Sequence, residues 1–360
     1  MKRAVRVAAV LLVMALSVVG TVIGFLTVDE YKPKDIESLE INGDATDRIQ
    51  TGESVVLLSW NLGYGALGDN ADFFMDGGKM VYTADKERVF SNLDGDIEEF
   101  IKISPDIICT QETDRNSDRS HFVDEVEYFM SNSGLNVLHG ENVFAPNLKV
   151  AFIPLPVPPI GKVLSGLMVF SRYDISSAQR LKLPCPFKWP LRTFNLKRCL
   201  EVVRLPVEGS DKELVIINLH LEAYDQGEGK IAQAKMLKEV LDAEVEKGNY
   251  VIASGDYNQV FSNTDVSAYP VHKGMWEAGR IEVEEFNKDL TFYTDSSVPT
   301  CRSLDKALDK AIDKSPEGFQ YYVIDGFITS SNVEVESVET DDLSFVTSDH
   351  NPIILKFKLK

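Results

Sequence analysis

Asp349 and His350 stand side by side near the end of the chain, directly before the apolar run 353–357. Aspartate is a ligand for hard cations, and histidine serves as a general acid, a general base or a donor to phosphate. The apolar run predicts a strand, and a strand end holds side chains rigidly. Such a pair also occurs in ordinary turns, so its meaning depends on what other strand ends supply.

Polar side chains accompany five further strand-like runs. They are Asn61 after residues 55–60, Glu112 after 106–111, Asn218 and His220 within 214–220, Asp256 and Asn258 after 250–255, and Asp325 within 321–327. The two-residue period of a strand places Asn218 and His220 on one face. Each has a structural explanation: a turn cap, a solvated strand end or a core histidine. Two of the five histidines, His220 here and His350 in the last motif, stand at such strand ends, so the set together indicates a site.

In chain order these ends read N, QE, NxH, GDxN, IDG and SDH. This ordered set resembles the motifs of the endonuclease/exonuclease/phosphatase superfamily, which includes deoxyribonuclease I, abasic-site endonucleases and neutral sphingomyelinases. The resemblance covers residues 54–360. It implies an α/β (α+β) fold, a four-layered α/β/β/α sandwich like that of deoxyribonuclease I, with the site at the mouth between two sheets.

The resemblance implies metal-assisted hydrolysis of a phosphate ester. Carried over by motif, the metal ligands are Asn61, Glu112 and Asp349. The catalytic residues are His220, Asp256, Asn258, Asp325 and His350, and Asn218 supports the site. A ligand set of a few carboxylates and water molecules is typical of Mg²⁺, and Mn²⁺ is the alternative cation.

The resemblance also implies roles. Asp256 would align or activate the attacking water, while Asn258 donates a hydrogen bond to the phosphoryl group. His350 would contact a phosphate oxygen, with Asp325 fixing its ring and tautomer. His220 would protonate the leaving group or stabilise the transition state. Which group is base and which is acid stays open.

Two features after the first motifs concern the rim of the site. Arg115 and Arg119 follow Glu112 and could clamp a substrate phosphate, although solvated loop charges explain them equally well. The loop 65–78 carries three aspartates without the EF-hand spacing. We therefore expect it to be an active-site rim loop and not a calcium site.

The first residues read as a membrane segment. Residues 7–28 contain no charge and would span about 33 Å as a helix, enough to cross a bilayer. Basic residues precede this run and acidic residues follow it, which places the N-terminus in the cytoplasm and the domain outside. A cleaved signal peptide, giving a secreted protein, is the rival. The predicted organisation has three parts: an anchor over residues 1–28, a polar tether over 29–53 and a catalytic domain over 54–360. Part of the tether could be ordered against the domain.

The charge argues against a polyanionic substrate. The net charge is −19, and residues 1–28 contribute only basic side chains, so the remainder is more acidic still. Nucleic-acid binding usually needs a basic surface. A local basic patch could form from Lys182, Lys188, Arg192, Lys197 and Arg198, or these side chains could be scattered over a solvated face. We expect a monomer.

The cysteines do not form a disulfide framework. Cys109 lies in a predicted buried strand, while Cys185 and Cys199 flank a loop and could pair outside the cell. The spacing of the four cysteines contains no CxxC motif that would indicate zinc.

Two segments between the motifs bear on the substrate. Residues 143–162 are apolar and proline-rich, which predicts an extended loop before a strand at 166–170. That loop could contact lipid or an acyl chain, or fold onto the domain's own surface. Residues 231–241 predict a helix with one apolar face for the core, formed by Ile231, Ala234, Leu237, Val240 and Leu241.

Three functions remain open from the sequence. The first is a membrane-anchored, Mg²⁺-dependent phosphoesterase that acts on a phospholipid or another small phosphate ester at the cell membrane, outside the cytoplasm. The second is an extracellular endonuclease of the deoxyribonuclease type, and the third is a binding module without catalysis. The acidic charge, the anchor and the apolar loop favour the first.

Overall fold

The computed structural model describes residues 2–225 and 227–360. Its helices are α1 (Lys2–Asp29), α2 (Lys86–Ile103), α3 (Glu125–Asn132), α4 (Asn136–His139) and α5 (Glu228–Glu246). Its strands are β1 (Ile36–Ser38), β2 (Ile41–Asn42), β3 (Val55–Asn61), β4 (Ile107–Asp114), β5 (Glu141–Ile153), β6 (Gly161–Ser171), β7 (Ser177–Lys182), β8 (Cys199–Pro206), β9 (Glu213–His220), β10 (Tyr250–Asp256), β11 (Gln259–Phe261), β12 (Gly279–Ile281), β13 (Leu290–Tyr293), β14 (Cys301–Arg302), β15 (Tyr321–Tyr322), β16 (Asp325–Ser330), β17 (Val333–Thr340) and β18 (Ile353–Leu359).

Within this described part of the chain, the strands form two seven-stranded sheets. The first sheet has the order β17-β18-β3-β4-β6-β5-β2, and the second has the order β1-β7-β8-β9-β10-β16-β13. Both sheets mix parallel and antiparallel pairs, since β3 runs parallel to β4 and β9 runs parallel to β10. The expected α/β/β/α sandwich is confirmed.

The strands bury side chains on both faces. Leu57 of β3 packs between the sheets, with Ile216 of β9, whereas the next residue, Leu58, packs with Phe100 of α2. On the opposite side Leu237 of α5 packs against the outer face of the second sheet. These side chains are fully buried, and the alternation along each strand follows the two-residue period.

The first residues of the predicted tether belong to the sandwich. β1 pairs with β7 at one edge of the second sheet, and β2 pairs with β5 at an edge of the first. Ile49 is completely buried in the core between the sheets. The polar segment 29–53 therefore packs along both sheets.

Residues 143–153 are a strand, so the prediction of a loop over 143–162 is wrong for this part. Pro146 lies in β5 at a bulge, where the register with β6 shifts. β2 pairs with β5 only at Asn142 and Val143, so Pro146 has no strand on its other side. A proline is tolerated there because no neighbouring strand needs its missing N–H. Only residues 154–160 form the connecting loop.

The predicted strand over 321–327 is interrupted. β15 pairs with β14 in a separate two-stranded unit, and β16 begins only at Asp325. The side chain of Thr300 accepts hydrogen bonds from the backbone N–H groups of Ile324 and Asp325. Asp325 consequently stands at the start of a strand and is fixed there by a residue that the sequence analysis did not single out.

The helix at 231–241 forms, but its predicted apolar face is partly wrong. Leu237 and Leu241 are buried, whereas Ile231 is 72% exposed. In the first turns the inward position belongs to Gln233, which accepts a hydrogen bond from the Glu222 backbone and donates to the Pro184 carbonyl. Polar anchoring of the preceding loop thus replaces apolar packing at this end of α5.

The remaining expectations concern α1 and the cysteines. α1 is long and apolar enough to cross a membrane, a property that a signal sequence shares. All four cysteines are free thiols, so Cys185 and Cys199 are not paired. The Cys199 thiol instead donates to the side chain of Asn147 at 3.0 Å.

Asp96 of α2 gives a prediction for stability. Its side chain is fully buried, and neither carboxylate oxygen has a hydrogen-bond partner within the described residues. Burial raises its pKa to about 8. The folded state therefore binds this proton more tightly than the unfolded chain, and this group's contribution to stability falls as pH rises from about 4 to about 8.

We expect Asp96→Asn to raise the free energy of unfolding by a few kcal/mol above about pH 8 and to change it little near pH 4. Urea denaturation of the full chain in detergent at both pH values measures this difference. Glu98→Gln, on the exposed side of the same helix, is the matched control. An equal effect of the two substitutions at high pH would contradict the assignment to burial.

Candidate active site

Three strands of the second sheet place polar side chains in one row. Asp256 of β10 pairs with His220 of the parallel strand β9 and with Asp325 of the antiparallel strand β16. Residues directly opposite each other in paired strands project to the same face of the sheet. The register therefore brings a histidine and two carboxylates together at the end of the sandwich.

Gly255 makes this row possible. Its φ is +144°, and a Cβ atom built on it would lie 2.0 Å from the carbonyl oxygen of Leu219 on the neighbouring strand. Only glycine allows β10 to approach β9 so closely just before Asp256. The glycine of the GDxN motif is thus required by packing.

The first sheet supplies the opposite side of the site. Asn61 ends β3 beside Gln111 of β4, and Glu112 follows directly. Glu112 has a φ of +55°, in the left-handed region that non-glycine residues rarely adopt. Such strained backbone concentrates at functional sites. The turn presents the Glu112 carboxylate to the cleft, where its side chain is 27% exposed.

His350 lies between the two sheets. Its Nδ1 is 2.9 Å from Asp325 Oδ2, while its Nε2 is 3.4 Å from Asn61 Nδ2 and 3.6 Å from Asp256 Oδ2. The Trp60 indole donates to the His350 carbonyl at 2.8 Å and fixes its backbone. The Asp325 contact leaves Nε2 facing the other polar groups of the site.

Asp256 is at the centre of these contacts. Its Oδ2 accepts from Asn61 Nδ2 at 3.1 Å and lies 3.4 Å from His220 Nε2. Its Oδ1 accepts from the Asn258 backbone at 2.8 Å. Asn258 Nδ2 donates to the Leu221 carbonyl, and an amide nitrogen has a second N–H for another acceptor.

The two histidines differ in charge. Burial alone would lower the pKa of His350, but Asp325, Cys301 and Asp256 raise it well above its ordinary value. Burial, together with Arg198 and His350, lowers the pKa of His220 well below its ordinary value. At neutral pH the site therefore combines an imidazolium at His350 with a neutral imidazole at His220.

Asn218 lies beneath the cleft and joins the two sheets. Its Oδ1 accepts from Gln111 Nε2 at 2.8 Å, and its Nδ2 donates to the Thr110 and Met168 carbonyls and to Glu201. The side chain is completely buried. It connects β9 to β4 and β6 next to His220 and Glu112, and its supporting role stays a prediction.

The donor set fits a hard cation such as Mg²⁺. Glu112 and Asp349 line the same cleft, and both offer carboxylate oxygens. Among the described residues, the basic side chains close to Glu112, Asp256 and Asp325 are histidines, and none is a lysine or an arginine. Burial is the main reason that the pKa of Asp349 rises to about 6 and that of Asp256 to about 7. A site so crowded with acids leaves negative charge that a cation would balance.

Asn61 has a specific orientation in this arrangement. Its Nδ2 faces Glu112 Oε1 at 3.5 Å and Asp256, while its Oδ1 accepts from the Gly63 backbone at 3.1 Å. The amide nitrogen, and not the oxygen that would bind a metal, faces the acids. Metal binding by Asn61 stays a prediction.

The site opens into a cleft of about 730 Å³. Phe73, Phe74 and Met75 of the loop 65–78 line it, in agreement with the predicted rim loop. Arg119 also lines the cleft, but its guanidinium is held by Asp114 at 2.9 Å.

The other basic side chains of interest are also paired. Arg115 pairs with Asp124 at 2.9 Å, away from the row of site residues. In the basic stretch 182–198, Lys182 pairs with Asp35, Arg192 with Glu30, and Arg198 with Glu222. Lys197 shares Glu30 with Arg192, and Lys188 has no ion pair among the described residues. Three carboxylates therefore offset most of the basic charge of this stretch, which makes it a poorer surface for nucleic acid.

Residues without a clear sequence signal also position Asp349 and His350. Cys301 forms an isolated bridge with His350, and the Arg302 N–H donates to the Asp349 carbonyl at 2.9 Å. Ser348 Oγ donates to the Asn61 carbonyl at 2.7 Å and so links the last motif to the first. The Ser348 hydroxyl was present in the quoted motif, whereas nothing local marks residues 300–302.

Comparisons with known proteins agree with this geometry. The model of the Endonuclease/Exonuclease/phosphatase family matches residues 58–350. A comparison with curated protein sequences gives no significant match. Solved structures with the same fold include an endonuclease/exonuclease/phosphatase from Beutenbergia cavernae, with 17% identity, a TM-score of 0.54, and coverage of 85% of this chain and 72% of that one.

Two further structures are similar. The human Nocturnin catalytic domain with a bound sulfate anion has 15% identity and a TM-score of 0.51, over 89% of this chain and 97% of its own. An endonuclease/exonuclease/phosphatase from Bacteroides vulgatus has 13% identity and a TM-score of 0.51, over 86% of this chain and 100% of its own. At these identities the likeness establishes the fold.

Proposed function

Because the chain belongs to the endonuclease/exonuclease/phosphatase family, we propose that it is a Mg²⁺-dependent phosphodiesterase that hydrolyses a phosphate ester outside the cytoplasm. The observation that carries this proposal is the placement of His350. Asp325 holds one ring nitrogen, and the other faces the group formed by Asp256, Asn61 and Glu112.

Glu112 and Asp349, with Asn61 beside them, would hold the metal. When bound, Mg²⁺ would neutralise charge on the phosphoryl oxygens and so assist attack on phosphorus. Mn²⁺ would serve the same oxygen ligands.

The chain's own residues account for the proton transfers. Asp256 accepts a proton from the attacking water, whose oxygen forms the new bond to phosphorus while the ester P–O bond breaks. His350 donates a hydrogen bond to a phosphoryl oxygen, and the second N–H of Asn258 is a further donor. The leaving oxygen takes its proton from the charged His350, while the neutral His220 lies beside Asp256. Asp325 keeps the His350 ring in place and favours its charged form.

The proposed location of the domain outside the cytoplasm rests on α1. An uncleaved α1 would anchor the protein by a single span, with the basic N-terminus in the cytoplasm and the domain outside. The acidic charge of −19 favours a small or lipid-linked phosphate ester over nucleic acid. We propose that the domain acts as a monomer.

A substrate panel tests this function. The purified full chain, reconstituted into vesicles, would be assayed with Mg²⁺ and with EDTA on bis-p-nitrophenyl phosphate, glycerophosphocholine and plasmid DNA. We expect Mg²⁺-dependent turnover of bis-p-nitrophenyl phosphate and little cleavage of DNA. Rapid DNA nicking with no turnover of the small diester would favour an endonuclease instead.

A further inference from the structure

One arm of the cleft is apolar. It extends from the polar group at Glu112 and His350, which lines the same cleft. The residues of this apolar arm are Leu148, Ile153, Leu155, Ile160, Val163, Phe194 and Leu196. The volume of the whole cleft, about 730 Å³, is typical of sites that enclose a small ligand.

The apolar arm also receives the end of α1. Val22 and Leu26 of α1 pack in one cluster with arm residues, and Leu26 is only 3% exposed. The arm residues in that cluster are Leu148, Ile153, Ile160, Val163, Phe194 and Leu196. The cluster therefore joins the end of α1 to side chains that line the cleft.

Polar contacts fix this junction. The Trp189 indole donates to the Thr27 hydroxyl at 3.0 Å, and the Ala151 N–H donates to the Asp29 carboxylate at 2.8 Å. Glu30 pairs with Arg192 at 3.3 Å. The end of α1 is thus part of the folded domain, and the apolar arm lies where α1 would leave a bilayer.

Exposed apolar side chains surround this junction. Phe152 follows Ala151 in β5 and is 42% exposed, and Trp189, which contacts Thr27, is 55% exposed. In the loop 154–160, Leu155 is 61% and Val157 is 88% exposed. Exposed apolar patches mark contact surfaces, and tryptophan is enriched at the membrane interface. These exposed apolar side chains would face the outer leaflet of the membrane that α1 spans.

Because the apolar arm lies between the end of α1 and the polar group at Glu112 and His350, we propose that it binds the hydrocarbon chain of a membrane lipid. The phosphate ester of that lipid is the substrate. The inference rests on the hydrolase and the anchor proposed above, and it adds the substrate class and the subsite. The lipid enters from the leaflet beside α1, its chain lies along the arm, and its phosphate reaches Glu112 and His350.

The arm serves to position the lipid more than to bind it tightly. A hydrocarbon chain in a bilayer is already removed from water, so moving it into an apolar groove gains little from the hydrophobic effect. The gain is the fixed placement of the phosphate beside the catalytic groups. A charge introduced into the arm would oppose the entry of the chain, because the charge would lose its water.

Crosslinking tests the subsite without depending on turnover. The full chain carrying Glu112→Gln would be reconstituted in vesicles of phosphatidylcholine and phosphatidylglycerol that contain phosphatidylcholine with a photoreactive group on one chain. Mass spectrometry would then map the crosslinked residues. We expect crosslinks at the apolar arm, in addition to those on α1 in the bilayer.

Leu155→Asp is the variant for this test. Leu155 lines the arm and is largely exposed, so the substitution should not affect folding. We expect it to lower crosslinking in the arm, and the ratio of phosphatidylcholine turnover to bis-p-nitrophenyl phosphate turnover, by roughly tenfold or more. Ile312→Asp, at a fully exposed apolar position outside the cleft, is the matched control.

The outcomes separate this inference from the hydrolase itself. Crosslinks in the arm that Leu155→Asp removes and Ile312→Asp keeps would support the subsite, even if no diester were hydrolysed. Turnover of bis-p-nitrophenyl phosphate without crosslinks in the arm would overturn the lipid subsite and leave the hydrolase standing. Unchanged crosslinking in Leu155→Asp protein would also overturn it.

Discussion

Replacing His350 with alanine should lower kcat for bis-p-nitrophenyl phosphate by roughly 10³-fold. Asp325 holds the His350 ring at 2.9 Å while the other ring nitrogen faces Asp256. Alanine removes both the charged donor to the phosphoryl oxygen and the partner of a buried carboxylate. Steady-state kinetics of the purified full chain with Mg²⁺ measures the loss.

His272→Ala is the matched control for this substitution. His272 is a partly buried histidine outside the cleft, where its Nε2 lies 2.8 Å from the Pro316 carbonyl. Its loss should leave kcat near the wild-type value. Circular dichroism would show that both variants are folded, and near-normal kcat in His350→Ala protein would remove His350 from the mechanism.

Replacing Glu112 with glutamine should have an effect of similar size. Glu112 offers a carboxylate that no lysine or arginine neutralises among the described residues, and its backbone is held in the left-handed region to face the cleft. Loss of a charge-neutralising cation removes several kcal/mol of transition-state stabilisation, or roughly 10³-fold in rate. EDTA should reduce wild-type turnover to the same level, and added Mg²⁺ should restore it.

Metal binding gives a second measurement of this prediction. Mg²⁺ should raise the unfolding temperature of the wild-type protein, because a ligand that binds only the folded state stabilises it. The rise should be much smaller in Glu112→Gln protein and unchanged in Glu317→Gln, at an exposed position outside the cleft. Equal Mg²⁺ stabilisation of both variants would place the cation elsewhere.

The strands and the polar residues at their ends could be predicted from the apolar runs, whereas the sandwich fold and the roles of those residues came from the family resemblance. Each motif follows or lies in an apolar run, and parallel strands such as β9 and β10 bring the ends of those runs together. The assignment of Asp325 as the partner of His350 came from the family resemblance. The structure places these two side chains in contact, whereas their roles remain predictions.

Where the structure differs from the sequence-based predictions, the cause is a contact with another segment of the chain. Pro146 suggested a loop, but the short reach of β2 leaves its side of β5 unpaired. Ile231 fitted the helical stripe, yet Gln233 takes the inward position through two hydrogen bonds to the loops. Thr300 fixes the backbone at Asp325 across a long sequence separation. Such contacts depend on which distant segment lies nearby, and local spacing does not encode that.

The junction between α1 and the domain was also beyond the sequence. Residues 7–28 predicted a membrane segment, but the packing of Leu26 against the wall of the cleft depends on where β5 and β6 lie. The apolar loop at 154–160 is shorter than predicted, and it adjoins the helix end instead of standing alone. The sequence left open whether this loop contacts lipid or folds onto the domain, and the fold places it beside both the end of α1 and the cleft.

Hydrolysis in water enriched in heavy oxygen tests the central claim most directly. The full chain would turn over bis-p-nitrophenyl phosphate with Mg²⁺, and mass spectrometry would locate the heavy oxygen in the products. Attack of water on phosphorus predicts one heavy oxygen in p-nitrophenyl phosphate and none in p-nitrophenol. Turnover should fall roughly 10³-fold with EDTA or in His350→Ala protein. Heavy oxygen in p-nitrophenol, or equal turnover without Mg²⁺, would contradict the account.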